Sequence, residues 1–205
     1  MRRNGRRSAL VVKRLLDAGV ASGLLLVLAP LLVALGVAVR LTSPGDAIFR
    51  QVRVGMGARP FVIYKFRTMT QDAPSSPLGT YAYRDDPRIT RLGRLLRRTS
   101  VDELPQLVNV LKGEMSIVGP RPDLPHHVDA YSAHQRRRLE MRPGITGLAQ
   151  VSGRNDLSWE ERIELDVEYV DRWSLRLDGE IVLRTAAVIL TGKGSTLPRS
   201  LGDQP

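Results

Sequence analysis

The chain contains no cysteine in its 205 residues. This excludes a disulfide framework and any thiolate zinc site, and it suits a reducing compartment. Histidine is almost as scarce. His126, His127 and His134 are the only three, they form no His-Glu-x-x-His motif, and their spacings do not match a usual structural zinc site. Hydrogen-bonded or exposed histidines are the expectation. Acidic residues are outnumbered, with 21 Asp and Glu against 31 Lys and Arg, for a net charge of +10 and an isoelectric point near 10.7. Such a surface calls for an anionic partner, and nucleic acid, anionic lipid and phosphorylated metabolites all qualify. Internal repeats are missing, and the length suffices for one medium domain plus an anchor.

Charge is also missing locally. From Ala18 to Val39 no charged residue occurs, about 22 positions and long enough to cross the hydrocarbon core as a helix. A cleaved secretory signal has a shorter apolar core ending at a small-x-small site, whereas this run carries Pro30 at its centre and leads into Arg40. Arg2, Arg3, Arg6, Arg7, Lys13 and Arg14 precede the run, and Arg40, Arg50, Arg53 and Arg59 follow it. Both flanks therefore carry the positive charge that marks the cytoplasmic side, and a straight span would break that rule at one end. Pro30 removes a helical hydrogen bond, and each arm of roughly a dozen residues would rise about 18 Å. A re-entrant helical hairpin over 13–40, broken at Pro30 and preceded by a basic segment over 1–12, satisfies length, charge and proline together. A kinked single span is the other reading.

Beyond the anchor, 41–192 reads as one α/β (α+β) unit that is mostly helical. Ala47 to Val54 and Pro60 to Phe66 are β-branched and aromatic runs separated by Gly55-Met56-Gly57-Ala58, which predicts a hairpin. No third glycine or helix follows, so a dinucleotide loop is excluded. Thr70 to Pro87 is rich in Pro, Ser, Asp and Gly and reads as a surface loop. Over Arg88 to Arg98, helical spacing groups Ile89, Leu92, Leu95 and Leu96 apart from Arg91, Arg94, Arg97 and Arg98. Such a helix lies on an anionic bilayer or faces the core with a solvated basic side, and the sequence allows either. Pro105 predicts the start of a helix that runs to Lys112 and stops at Gly113. His127 to Glu140 reads as helical, Gly144 to Gly153 as glycine-punctuated, and Ser158-Trp159-Glu160-Glu161 as a capping box opening a helix to about Trp173. Leu177 to Leu190 is a last apolar helix, packed or interfacial, and 193–205 reads as a disordered tail. Trp159 and Trp173 fit helix packing better than an interfacial belt.

Chemistry concentrates between Ser100 and Pro122. Asp102 and Glu103 fit two roles. Ser100-Val101-Asp102-Glu103 is a capping-box pattern, with acids favoured in a first helical turn. Pro105, however, cannot donate to the carbonyl of residue 101, so the helix is expected to begin at Pro105 and leave both acids before its positive end. A carboxylate held ionised there suits a nucleophile or a magnesium ligand. Arg121 stands between Pro120 and Pro122, which restrict where its guanidinium points, as bidentate phosphate recognition requires. Arg142-Pro143-Gly144-Ile145-Thr146-Gly147 and Gly153-Arg154-Asn155 form a second region, compatible with binding a nucleotide diphosphate through backbone amides. A membrane-tethered nucleic-acid binder would explain the charge, but it would not need Asp102 or Glu103, and no nucleic-acid-binding motif occurs. No nucleic-acid partner is therefore expected. A noncatalytic membrane scaffold is the other alternative.

Six features in order carry a resemblance: Lys13-Arg14-Leu15-Leu16-Asp17, the proline-broken apolar helix, Tyr64-Lys65-Phe66-Arg67-Thr68-Met69, Asp102-Glu103-Leu104-Pro105-Gln106, Gly119-Pro120-Arg121-Pro122, and Arg142 to Gln150. Together they resemble the bacterial sugar transferases, the monotopic polyprenyl-phosphate phosphoglycosyl transferases, over roughly Lys13 to Gly192. The chain is similar to the minimal catalytic form, without the multi-span region of longer relatives. Ala29 precedes Pro30 where family members often have serine. The resemblance implies transfer of a phosphosugar from a UDP-sugar to undecaprenyl phosphate, with UMP released, at the cytoplasmic face of the bacterial inner membrane. It implies that Asp102 is the nucleophile and a Mg2+ ligand, that Glu103 assists proton transfer, and that Lys65, Arg97 and Arg121 bind phosphate. Arg142, Thr146, Gly147 and Arg154 are the expected nucleotide and sugar region. Homo-oligomerisation is left open.

Overall fold

The computed structural model describes residues 3–70, 86–153 and 156–191. The expected mobile loop, the expected disordered tail and Arg154 therefore lie wholly or mostly outside the described residues. The charge-free run is part of one long helix, α1 (Arg3–Thr42), whose helical assignment continues through Pro30, so the expected break there is not seen. By length and composition α1 is able to cross a membrane, with a mean hydropathy of 2.6 over its most apolar window.

Polar residues at the start of α1 tie it to the rest of the protein. Lys13 Nζ pairs with Asp178 Oδ2 at 2.8 Å. Asp17 accepts from Ser116 Oγ at 2.7 Å and from the Ile117 backbone at 3.1 Å. Arg14 donates to the carbonyls of Val110 and Leu111, where the end of a helix leaves acceptors unmatched. At the far end, Val39 is buried in a cluster with Phe66 and Leu96.

β1 (Ile48–Val54) and β2 (Pro60–Phe66) form the predicted antiparallel hairpin, in register from Ile48 opposite Phe66 to Val54 opposite Pro60. Gly57 takes the left-handed conformation at φ 67° in the turn. α2 (Arg91–Thr99) starts later than the sequence suggested, because the Thr90 side chain accepts from the Gly93 backbone and caps it. Ile89 consequently lies outside the helix; it is buried and bridged to Met69. α3 (Gln106–Lys112) follows Pro105 and ends at Gly113, at φ 81°, as predicted.

β3 (Ser116–Val118) pairs in parallel with β4 (Gly144–Thr146), a contact with no local signal in the sequence. The expected helix over 127–140 is corrected to α4 (Pro125–Asp129) and a separate 3-10 turn over Gln135–Glu140. Ser132 and Gln135 exchange side-chain bonds with each other's backbone N–H, which competes with helical bonding between them. α5 (Leu148–Ser152) and α6 (Trp159–Arg172) come next. α6 opens on the predicted capping box, with Ser158 and Glu161 bonded reciprocally. α7 (Leu175–Thr191) completes the order. Among the described residues the fold is thus mostly helical, with two small two-stranded sheets. Trp173 is packed in the core beside Tyr169 and Ile181.

The β3–β4 sheet fixes the segment that precedes Arg121. An added Cβ at Gly144 would lie 2.1 Å from the Gly119 backbone nitrogen, and one at Gly119 would lie 2.3 Å from the Arg142 carbonyl. These are backbone atoms, so no side chain can give way. Gly144→Ala is expected to prevent accumulation of folded protein, measured as the yield of monodisperse protein after detergent extraction. Gly19→Ala, where nothing lies within 4 Å, serves as the tolerated control.

Candidate active site

Asp102 and Glu103 sit in a single 3-10 turn, Val101–Glu103, between α2 and α3. Ser100 takes the left-handed conformation that ends α2 and makes no side-chain cap. The capping-box role is thereby removed, and both acids are free for other work. They also sit one turn before α3, where exposed backbone N–H groups favour negative charge.

The two acids have opposite surroundings. Glu103 Oε1 accepts from Lys65 Nζ at 2.7 Å and from Arg121 Nη2 at 2.8 Å. Burial alone would raise its pKa, but the charges and bonds of Arg121 and Lys65 hold it well below the usual carboxylate range. No hydrogen bond or ion pair reaches the Asp102 carboxylate among the described residues, and its side chain is buried. Burial, reinforced by the Glu103 charge, pushes Asp102 up to about 6 against the pull of Lys65, Arg97 and Arg121. Arg97 points inward from α2, its Nε 2.7 Å from Thr68 Oγ1. Two acids with divergent environments inside a ring of cations are a common arrangement for divided chemical roles.

The structure brings Asp102, Glu103, Lys65, Arg97 and Arg121 together. It gives the second predicted region other partners. Arg142 Nε donates to the Gly113 carbonyl at 2.9 Å, Thr146 Oγ1 bonds Thr185 Oγ1 at 2.7 Å, and Gly147 lets the chain pass close to the Gly119 carbonyl. These residues secure β3, β4 and α7.

Sequence reasoning missed a buried polar cluster behind Arg121. Asp123 Oδ2 accepts from Tyr131 at 2.8 Å and from Trp159 at 3.3 Å, and Asp123 Oδ1 lies 2.7 Å from His127 Nδ1. Burial would raise the Asp123 pKa, but its bonds to His127 and the Leu124 backbone and the charge of Arg138 bring it down to about 2. A carboxylate with a lowered folded pKa stabilises above its unfolded value of about 3.9, and that contribution is lost as pH falls towards 2. Asp123→Asn is expected to cost about 2 kcal/mol at pH 7 and to flatten the fall in stability below pH 4, read by denaturant titration at several pH values.

A magnesium ion carries a hard charge, binds through one or two carboxylates and takes its remaining ligands from water and substrate phosphate. Asp102 suits that role, because among the described residues no donor reaches its carboxylate, and burial disfavours its ionised form. Among the described residues there is no cluster of three or more Asp, Glu, His or Cys able to cage a metal alone. A site completed by substrate is therefore the kind these residues fit.

A profile of the bacterial sugar transferase family matches residues 8–192. The chain belongs to the bacterial sugar transferase family. This sugar transferase is 45% identical over 185 residues to the uncharacterized sugar transferase EpsL of Bacillus subtilis, covering 90% of each chain. It is 48% identical over 189 residues to a UDP-glucose:undecaprenyl-phosphate glucose-1-phosphate transferase of Caulobacter vibrioides, covering 87% of this chain and 70% of that one. To the exopolysaccharide production protein ExoY of Rhizobium meliloti it is 37% identical, covering 90% and 88%. The family makes the chain an enzyme of the sugar-1-phosphate transferase class, and the match takes in every residue of the Asp102 cluster.

Proposed function

We propose that this enzyme moves a sugar 1-phosphate from a UDP-sugar to undecaprenyl phosphate in two displacements at Asp102. In the first, an Asp102 carboxylate oxygen attacks the sugar-bearing phosphorus. The bond from that phosphorus to the bridging oxygen breaks, and UMP leaves with the electron pair. In the second, a phosphate oxygen of undecaprenyl phosphate attacks the same phosphorus, restoring the carboxylate and forming a diphosphate-linked lipid. Splitting the transfer lets one site serve a soluble donor and then a lipid acceptor. The observation that supports this reading is the buried Asp102 carboxylate, which no hydrogen bond reaches among the described residues and which feels the charges of Lys65, Arg97 and Arg121.

Lys65 and Arg121 hold Glu103 in the free enzyme. A donor diphosphate offers them a stronger anion, and the Glu103 carboxylate so released assists proton transfer. Arg97, fixed by Thr68, adds a third positive group against the charge that grows on phosphorus. Asp102 would be the residue to hold Mg2+, which when bound would supply positive charge against the donor diphosphate.

α1 supports a membrane placement. Asp17 and Val39 lie about 33 Å apart along a straight helix, more than the roughly 30 Å hydrocarbon core. Yet both are buried against the same domain, Asp17 at Ser116 and Val39 beside Phe66 and Leu96. A re-entrant helix bent at Pro30 without being interrupted, with both ends at the cytoplasmic face of the inner membrane, fits these attachments and the basic flanks. The exposed apolar residues of α7, Leu183 and Leu190, suit an interfacial position.

The test is magnesium-dependent UMP release by nanodisc-held protein given undecaprenyl phosphate and a panel of UDP-hexoses and UDP-acetamidosugars. Release with a particular donor is expected, and UDP-glucose is tried first because of the Caulobacter relative. Folded protein that releases no UMP with any donor would contradict the proposal.

A further inference from the structure

Arg121 is bracketed by two prolines, so neither neighbour offers a backbone N–H to anchor it. Its own backbone is instead gripped from behind. Arg138 Nη2 donates to the Arg121 carbonyl at 2.6 Å. Arg138 and Asp166 are bonded to each other, and their side chains are 6% and 1% exposed. The two come from distant places, the 3-10 turn over Gln135–Glu140 and the middle of α6. Neither contacts Glu103 or Asp102 through any hydrogen bond or ion pair, and so neither has a direct part in the chemistry. A buried ion pair is costly to assemble and is weak support for a fold by itself. Here the Arg138 nitrogen that meets Asp166, Nη2, is also the one that reaches the Arg121 carbonyl, while Arg138 Nη1 bonds Tyr131.

We propose that the buried Arg138–Asp166 pair is a positioning device for the phosphate-binding arginine: Asp166 fixes Arg138, and Arg138 clamps the backbone carbonyl of Arg121 so that its guanidinium is presented at the Asp102–Glu103 site. This deepens the two-displacement reading above and rests on it. Loss of the clamp frees the Arg121 segment and weakens its grip on the donor diphosphate, while Asp102 itself is left intact. A displacement of about 1 Å at such a group costs on the order of 10²-fold in turnover efficiency.

The test is a cycle. Asp166→Asn is made in the natural chain and in Arg121→Ala, and kcat/KM for the UDP-sugar is measured for all four proteins, with UDP affinity by calorimetry beside it. Asp166→Asn is expected to lower kcat/KM by about 10²-fold in the natural background, chiefly through KM, and by less than about twofold once Arg121 is gone. Equal fold-losses in both backgrounds would overturn the proposal, because a residue with a general structural role acts whether or not Arg121 is present. An Arg121→Ala protein as active as the natural chain would instead count against the phosphate-binding reading itself. If Asp166→Asn fails to fold, the double replacement Arg138→Met with Asp166→Leu fills the same volume without leaving a lone buried charge. It is put through the same cycle, and the UDP affinities decide the outcome where turnover is too slow to read.

Discussion

Asp102→Asn is expected to lower UMP release by about 10⁴-fold or more without destabilising the protein. The catalytic half of this result follows from nucleophilic chemistry, since an amide can neither attack phosphorus nor carry the phosphosugar. The stability half follows from electrostatics. Burial and the Glu103 charge push Asp102 up to about 6, so its ionised form is favoured less in the folded protein than in the unfolded one. A carboxylate with a raised folded pKa helps stability only below its unfolded value, and the disadvantage grows as pH rises through 6. In magnesium-free buffer at pH 7.5 the neutral amide is therefore expected to melt no lower than the natural residue. Thermal melts of both proteins beside the UMP assay check this. A folded core with abolished turnover marks a residue kept for chemistry at the expense of stability.

The second large effect lies at the junction of α1 with the domain. Lys13→Met is expected to cost about 3–5 kcal/mol, the usual penalty for removing one partner of a buried pair. Lys13 Nζ lies 2.8 Å from Asp178 Oδ2 and 4.0 Å from Asp17 Oδ2, and both side chains of the Lys13–Asp178 pair are nearly inaccessible. Asp178 would remain buried with only neutral donors, Tyr169 at 2.7 Å and Trp173 at 3.2 Å. A fall in melting temperature of about 10 °C is the expected size in a chain of this length. Adding Asp178→Asn removes the stranded charge and is expected to restore part of the loss. If the double variant melts below the single one, the pairing account is wrong. Because α1 is also the membrane element, loosening this junction is expected to reduce turnover on the lipid acceptor as well.

The parts of the fold legible in the sequence were those written in local signals. The hairpin around Gly57, the Pro105 start and Gly113 stop of α3, and the Ser158 capping box each depend on residues a few positions apart. The β3–β4 pair escaped notice because strands of three residues leave no alternating pattern, and their pairing spans residues far apart in sequence. The helix expected over 127–140 failed because Ser132 and Gln135 bond locally and because Tyr131 turns inward to Asp123.

The site divides in the same way. Asp102, Glu103 and Arg121 stood out through adjacency and flanking prolines, and Lys65 and Arg97 through family resemblance. Arg142 and Thr146 drew notice for glycines that serve chain packing. Arg138 and Asp166 carried no signal, since an arginine among arginines and an acid inside a helix look like solvated surface until their burial is seen.

The most direct test of the account is a single-turnover experiment without acceptor. Enzyme in nanodiscs is mixed with Mg2+ and an active UDP-sugar, with no undecaprenyl phosphate present, and both UMP and intact protein mass are followed. The account predicts a burst of UMP approaching one per active enzyme and a matching gain of one phosphosugar, mapped to Asp102 and discharged when undecaprenyl phosphate is added. UMP that forms only when acceptor is present, with no mass gain at any time, would contradict a covalent path through Asp102 and favour direct transfer between the two bound substrates.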